Sequence, residues 1–184
     1  MHPACLMNDY LAMARKEPQF IAAAIVAVAG GLTIGGFFFF QYVLDLPPCP
    51  LCLEQRTPYY FSVPLAVVLL LGANYGASNK AMIAGFLVIA GFMLWNSGLG
   101  VYHAGVEWKF WQGPTDCSGP IEKFGDARDL FKQIQNISLV RCDQASWRFL
   151  GLSLAGWNAL VSLGLATVAA WGGLALAAKT IRLK

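Results

Sequence analysis

The strongest constraint on this chain is a set of long apolar runs that contain no aspartate, glutamate, lysine or arginine. A helix that crosses a hydrocarbon core of about 30 Å needs about 20 mainly apolar residues. Charged residues make up only 12% of the sequence, against about 25% in soluble domains. We therefore predict an all-α membrane protein, a four-helix transmembrane bundle that forms one integral membrane domain over residues 1–184, with spans at about residues 20–44, 58–73, 81–102 and 149–178.

The first apolar run could instead belong to a cleaved signal peptide. Such a peptide has an apolar region of about 7–15 residues, followed by a cleavage site of small residues. Here the run extends from Phe20 to Leu44 and carries consecutive phenylalanines at Phe37–Phe40. We therefore interpret it as a retained span.

The distribution of basic residues predicts the orientation of the bundle. Four spans place both termini on one side of the membrane and two cysteine-bearing loops, residues 45–57 and 103–148, on the other. The side with the denser Lys and Arg beside the spans is normally cytoplasmic. We therefore predict cytoplasmic termini and extracytoplasmic loops, because basic residues are dense in the termini and in the middle turn: Arg15, Lys16, Lys80, Lys179, Arg182 and Lys184.

The long loop has a pattern of its own. Apolar residues recur at roughly helical spacing between Ile121 and Ile137, among charged residues. This spacing predicts a short amphipathic helix on the membrane surface, with a helix packed on the rest of the loop as the alternative. Trp108, Trp111 and Trp147 flank the loop, as tryptophans do at a membrane–water interface.

A Cys-x-x-Cys pair lies between the first two spans, at Cys49 and Cys52, and Arg56 follows it. The positive end of a helix dipole favours a thiolate over a thiol. If Cys52 opens the second helix, Arg56 lies at i+4 on the same face and adds a second positive charge. Because the thiolate is the species that reacts in redox exchange, this segment is the candidate redox centre.

The predicted outer loops hold four of the five cysteines, since Cys117 and Cys142 lie in the long loop. A four-thiolate zinc site is one interpretation, but structural zinc usually takes a second closely spaced pair. Two structural disulfides are another, although a Cys-x-x-Cys loop is too short to restrict the unfolded chain much. The third is a relay of two exchanging disulfides, which we favour. Cys5, on the predicted cytoplasmic side, is interpreted as a bystander thiol.

These features resemble the disulfide bond formation protein B (DsbB) family, inner-membrane quinone reductases that reoxidise the periplasmic thiol oxidase DsbA. The resemblance covers nearly the whole chain. It rests on the four spans, on Cys49-Pro-Leu-Cys52-Leu-Glu-Gln-Arg56, on the Cys117/Cys142 pair, and on residues 102–108 and 147–157. It implies a multi-pass protein of the bacterial inner membrane, with both cysteine loops in the periplasm.

The resemblance also implies a mechanism. A reduced DsbA-like oxidase attacks a Cys117–Cys142 disulfide and forms a mixed disulfide at Cys117. Cys142 then attacks Cys49, and Cys52 is released as a thiolate beside a bound quinone, either ubiquinone or menaquinone. A disulfide and a quinone are both two-electron couples, so the electron count closes without a radical carrier in the protein.

Two further residues are candidates for the quinone site. The resemblance assigns Arg56 to quinone binding, and its charge would stabilise both a Cys52 thiolate and a reduced quinone oxygen; a snorkelling arginine is the alternative. His103, at the end of the third span, could bond a quinone carbonyl or deliver a proton, or could simply pack at the interface. Glu54 and Glu107 are interpreted as interfacial charges, with proton transfer as the alternative.

Other classes of protein were weighed against this interpretation. One is a sister enzyme of the same fold that serves a different thiol partner. Another is a vitamin K epoxide reductase-like protein, in which the Cys-x-x-Cys would come late in the bundle. The third is a membrane scaffold with disulfide staples and no redox turnover. The net charge of +3, without a basic run or a phosphate-binding loop, predicts no nucleic-acid partner.

Overall fold

The computed structural model describes residues 17–114 and 141–182. Its elements in chain order are α1 Pro18–Phe38, continued by a π-helical turn at Phe39–Val43, then α2 Pro50–Glu54, α3 Thr57–Tyr75, α4 Asn79–Glu107, β1 Arg148–Phe149, β2 Leu152–Ser153 and α5 Leu154–Arg182. Four helical segments are long and apolar enough to cross a membrane. The predicted four-helix membrane bundle is therefore confirmed.

Some predictions fall on residues that the structure does not describe. These are the amphipathic loop helix at Ile121–Ile137, Cys5 and Cys117, which all lie outside the described residues.

The bundle is held together by a buried core in which small residues allow close helix approach. The centre of the core contains the fully buried side chains of Tyr59, Phe86, Ile89 and Met93. A β-carbon added at Gly100 of α4 would lie 2.9 Å from the backbone N and Cα atoms of Ala159 in α5. Small residues drive helix association in membranes because they let backbones pack closely.

The third and fourth spans differ from their predicted bounds for local reasons. Helix α4 continues through Glu107, beyond the predicted end at residue 102, so His103 lies in its last turns. Helix α5 begins at Leu154, later than the predicted residue 149, because β1 and β2 form a small antiparallel hairpin first. The two turn residues, Leu150 and Gly151, have φ angles of 52° and 82°, as the two-residue turn of a tight hairpin requires.

Exposed aromatic side chains surround the end of the bundle that carries the hairpin. Trp108, Phe110 and Trp111 follow α4, and Trp147 and Phe149 belong to the hairpin segment. Trp147 stacks on Phe149 and contacts Phe40 of the π-helical turn. The three tryptophans predicted to flank the long loop are therefore all exposed at this end of the bundle, as residues of an interfacial belt are.

Substitution of Gly100 by valine is expected to destabilise the bundle by about 1–3 kcal/mol, because the new side chain would press on the α5 backbone. Thermal unfolding of purified protein in detergent measures this loss. Gly98→Val is the matched control on the same helix, since nothing lies within 4 Å of a β-carbon at Gly98. Equal melting temperatures for the two variants would contradict the close approach of α4 and α5.

Candidate redox site

The Cys-x-x-Cys segment is shaped by the start of the short helix α2. Cys49 is the N-cap residue, Pro50 occupies the first turn, and the Cys49 Sγ accepts a hydrogen bond from the Cys52 N–H at 3.2 Å. Cys49, and not Cys52, therefore opens the helix. The helix breaks after Glu54, so the premise that placed Arg56 at i+4 along a continuous helix is wrong; Arg56 instead caps α3.

Both thiols of the pair are free, but their surroundings differ. Cys49 is only 3% exposed, whereas Cys52 is half-buried. The hydrogen bond between the two side chains, and then burial, raise the pKa of the Cys49 thiol well above its usual range. The proton therefore stays on Cys49, and Cys52 is the thiol that is open to reaction.

His103 reaches this segment from the end of α4. Its Nε2 lies 3.7 Å from the Cys49 Sγ, and its Nδ1 lies 2.8 Å from the Gln55 amide nitrogen. Glu107, one turn further along α4, places a carboxylate oxygen 3.9 Å from the same Nε2. The interpretation of Glu107 as a solvated interfacial charge is wrong, since it is buried, whereas Glu54 is exposed.

Arg56 is buried beside the pair and only partly satisfied. One guanidinium nitrogen donates to the Gln41 side-chain oxygen at 2.6 Å, and the group lies 5.3 Å from the centre of the Phe37 ring. The Arg56 Nε has no hydrogen-bond partner among the described residues. Gln41 lies in the π-helical turn that ends α1, and π-helical turns are frequent at functional sites. The arginine therefore lies at the site with one buried N–H that has no partner among the described residues.

The second cysteine loop also reaches this site. Cys142 is disulfide-bonded and 1% exposed, and it packs in one cluster with Cys49 and Leu51. Its neighbour Asp143 forms ion pairs with Lys109 and Arg141, which hold the pKa of the Asp143 carboxyl well below its usual range. These pairs lie on the surface, where ion pairs contribute little stability. The burial of Cys142 therefore contributes more than these ion pairs to holding the Cys142 segment in place.

A cavity of about 220 Å³ opens between α1, the Cys-x-x-Cys segment, α4 and α5. Its wall includes Cys52 and Arg56 together with the aromatic rings of Phe37, Phe40 and Trp157. Glu107 also belongs to this wall, and one of its carboxylate oxygens is buried without a hydrogen-bond partner among the described residues. An apolar pocket with a few converging polar groups is the usual form of a small-molecule site.

The same residues offer donor atoms that could hold a soft metal ion. The sulfur atoms of Cys49 and Cys52 and a ring nitrogen of His103 lie within 4.8 Å of one another. Thiolate and imidazole are ligands that zinc prefers. This set differs from the four-thiolate arrangement considered from the sequence, because it replaces the long-loop cysteines by a histidine.

The structure brings together Cys49, Cys52, Cys142, Arg56 and His103, which the sequence had singled out, but sequence reasoning missed the glutamines. Gln41 and Gln55 contact Arg56 and His103 respectively. Gln55 is 4% exposed although it lies between two charged residues in the sequence. The signal that could have found it is the polar run Glu54–Arg56 beside an apolar span, where a buried glutamine needs a partner.

Fold and site together define a multi-pass membrane protein with a free Cys-x-x-Cys pair at a helix start, open to an apolar cavity. The family model described as disulfide bond formation protein DsbB matches residues 18–172. The chain therefore belongs to the DsbB family of disulfide bond formation proteins. This membership, which confirms the resemblance seen in the sequence, implies a disulfide oxidoreductase.

Several curated relatives carry the same description. Disulfide bond formation protein B of Hahella chejuensis is 31% identical over 148 residues, which is 78% of this chain and 85% of the relative. The protein of that name from Xanthomonas campestris is 30% identical, over 73% of this chain and 78% of the relative. The one from Albidiferax ferrireducens is 30% identical over 79% and 82%. No solved structure matches the chain.

Brief treatment of the reduced protein with iodoacetamide is expected to label Cys52 before Cys49, because burial and a raised pKa keep Cys49 protonated and shielded. Tandem mass spectrometry of the peptide that holds both residues locates the label. Cys52→Ala is the control: it removes the side-chain hydrogen bond that raises the pKa of Cys49 most, so Cys49 should then react faster. Preferential labelling of Cys49 in the unmutated protein would contradict the assignment.

Proposed function

We propose that the protein is a quinone-dependent thiol oxidoreductase that reoxidises a periplasmic thiol oxidase of the DsbA type. The observation that carries the proposal is the meeting of three features at one place. A free Cys49–Cys52 pair borders the cavity, disulfide-bonded Cys142 packs against Cys49, and Arg56 presents an unpartnered donor.

The first half of the reaction is disulfide exchange between the partner and the two cysteine pairs. A thiolate of the reduced partner attacks the Cys117–Cys142 disulfide, bonds to Cys117 and releases Cys142 as a thiolate. Cys142 then attacks Cys49 of the oxidised Cys49–Cys52 pair, and Cys52 leaves with the electron pair of the broken bond. The second thiolate of the partner attacks the mixed disulfide, so that the oxidised partner departs and Cys117 is freed as a thiolate. Cys117 then attacks Cys142 of the Cys49–Cys142 disulfide, which restores the Cys117–Cys142 bond and releases Cys49 as a thiolate.

Burial explains why Cys49, and not Cys52, is the sulfur attacked. Cys142 and Cys49 share one buried cluster, so the attacking and receiving atoms need no long excursion. Cys52 is the more exposed thiol and lies on the cavity wall. The leaving thiolate is therefore produced on the side where an oxidant can meet it.

The cavity suits a quinone in both shape and polarity. Aromatic rings of Phe37, Phe40 and Trp157 offer flat apolar contacts, and the guanidinium of Arg56, a residue of the cavity wall, carries N–H donors suited to a carbonyl oxygen. A bound quinone, ubiquinone or menaquinone, would supply the oxidising power, since it takes up two electrons and two protons as the Cys49–Cys52 disulfide re-forms. Arg56 would stabilise negative charge on Cys52 and on the nearby ligand oxygen.

The proposed location is the bacterial inner membrane, with both termini in the cytoplasm and the cysteine loops in the periplasm. The four apolar helices support a multi-pass protein. The basic residues near the chain ends and in the α3–α4 turn support the orientation. An oxidising compartment around the loops is also what a lasting disulfide at Cys142 requires.

The closing experiment uses purified protein loaded with ubiquinone or menaquinone and a reduced thioredoxin-like oxidase as donor. Quinone reduction, followed by ultraviolet absorbance, is expected to reach one quinol per oxidised partner. Cys52→Ser should abolish it, since no thiolate would then be released beside the quinone. Cys5→Ser is the matched control and should leave the rate unchanged.

Two other results would redirect the interpretation. No quinol with a competent thiol donor would favour a scaffold with structural disulfides and no turnover. Quinol formation that survives Cys52→Ser would keep an enzyme but refute the site.

Arg56→Met is expected to raise the KM for quinone by roughly tenfold or more, the size of a lost charged hydrogen bond. Arg56→Lys keeps the charge but loses the planar contact with Phe37 and the guanidinium hydrogen bond to Gln41. Its KM should therefore lie between that of the unmutated protein and that of Arg56→Met. Steady-state quinone reduction measures both values. Lys80→Met removes a positive charge from the opposite end of the bundle and should leave KM unchanged; an equal effect there would point to net charge.

A further inference from the structure

A continuous chain of buried polar side chains runs from the middle of the bundle to the redox site. Its members come from three helices and the α2–α3 break, and all are at most 5% exposed: Asn96, Ser162, Tyr59, Asn158, Gln55 and His103. Polar groups at membrane depth are costly unless they are paired, and polar residues placed there often belong to a functional site.

We propose that this chain fixes the neutral tautomer of His103, with the proton on Nε2, and so aims an N–H donor at Cys49. Gln55 and Asn158 are then positioning residues for the proposed thiol exchange. The inference rests on the proposed function for its chemical purpose, but the tautomer itself can be tested without it.

The tautomer follows from the orientation of the Gln55 amide. The Asn158 side-chain nitrogen donates to the Gln55 oxygen at 2.7 Å. The Gln55 amide nitrogen is therefore turned toward His103, and it lies 2.8 Å from Nδ1. An amide NH₂ can only donate, so Nδ1 must accept, and the proton of the neutral ring has to sit on Nε2.

The orientation of Asn158 agrees with the hydrogen bonds of the groups deeper in the bundle. The Tyr59 hydroxyl donates to the Asn158 side-chain oxygen at 2.9 Å and lies 2.9 Å from the Ser162 hydroxyl. Asn96 donates its amide N–H to the same Ser162 oxygen at 2.8 Å. Because the single Tyr59 hydroxyl proton goes to Asn158, the Ser162 hydroxyl donates to Tyr59. Every donor thus points the same way, toward His103.

Reversing one member of the chain would bring two donors or two acceptors face to face. That mismatch leaves a buried group unsatisfied, which is expensive away from water. Because each link also joins different helices, the amide orientations cannot relax independently. The chain therefore links the orientation of amides in the core to the protonation of a ring nitrogen beside Cys49.

The Nε2–H of His103 has three groups of the site around it. The Cys49 Sγ lies 3.7 Å away and a Glu107 oxygen lies 3.9 Å away, and the backbone of Cys142 is a further hydrogen-bond partner of the ring. The donor therefore sits where the two cysteine segments meet.

This position suits the step that regenerates the Cys49 sulfur. When a thiolate attacks Cys142 of a Cys49–Cys142 disulfide, a new bond forms to Cys142 and Cys49 leaves with the electron pair of the old bond. The Nε2–H can donate to that leaving thiolate. With the opposite tautomer, Nε2 would present a lone pair to the same negative sulfur and would oppose its departure.

Nitrogen NMR of the full-length protein in nanodiscs tests the tautomer directly. The sequence has only two histidines, so ¹⁵N-histidine labelling of a His2→Ala variant leaves His103 as the single ring observed. The reduced protein is expected to show a non-protonated Nδ1 and a protonated Nε2. A protonated Nδ1 in this protein would overturn the inference.

Two variants test whether the chain is the cause. Gln55→Glu replaces the donor facing Nδ1 by an acceptor, so Nδ1 should become protonated. Asn158→Leu leaves the histidine untouched but releases the Gln55 amide, so both tautomers should appear. Gln112→Glu adds the same charge on an exposed residue and should change neither nitrogen; unchanged spectra for the first two variants would show that the chain does not set the tautomer.

Measurements of quinone reduction distinguish the tautomer of His103 from its proposed role toward Cys49. Quinone reduction by Asn158→Leu is expected to fall by roughly two- to tenfold, the range for one hydrogen bond. Full turnover with mixed tautomers would overturn the role toward Cys49. An unmutated protein that shows the expected tautomer but reduces no quinone would instead refute the proposed function, because the spectrum is recorded without quinone.

Discussion

The bilayer leaves a polar group no water to bond with, and most of this structure follows from that constraint. The four spans carry few charges because an unpaired charge in hydrocarbon is costly. The polar side chains that do enter the core, such as Asn96 and Ser162, bond to one another across helices. Each such bond fixes the relative rotation of two helices, because the donor and acceptor must meet. Packing of small residues, as at Gly100 against Ala159, then sets how closely those helices approach.

The redox site depends on backbone groups that the same constraint leaves over at helix ends. The first N–H groups of a helix have no partner within it, and the Cys49 sulfur accepts one of them, from Cys52. One atom thus serves as helix cap and as part of the proposed redox centre. The break between α2 and α3 frees Gln55 to turn inward and lets Arg56 reach Gln41 on α1.

The sequence allowed the spans to be predicted, because a long run without charge has few alternatives to a membrane helix. It also allowed prediction of the Cys-x-x-Cys centre and of Arg56, whose spacing carries chemical meaning. The end of α4 was missed because His103 and Glu107 are polar residues of the kind found in loops. The structure shows that both are buried, so the helix can include them. The partnership of Gln55 with His103 and Asn158 joins residues far apart in the chain. No local pattern encodes such a contact. Pairing of Cys117 with Cys142, the orientation in the membrane and the identity of the quinone stay predictions.

The belt of exposed aromatic residues around the hairpin has a consequence for how ligands arrive. Tryptophan and tyrosine rings settle at the level of the lipid headgroups, so Trp108, Trp111 and Trp147 set the depth at which the bundle floats. The cavity, whose wall includes Trp157 and Phe40, lies beside this belt, since Phe40 contacts Trp147. A lipid-soluble molecule would reach the cavity by lateral diffusion in the bilayer. Its rate of arrival would then depend on its mole fraction in the membrane and not on its concentration in water.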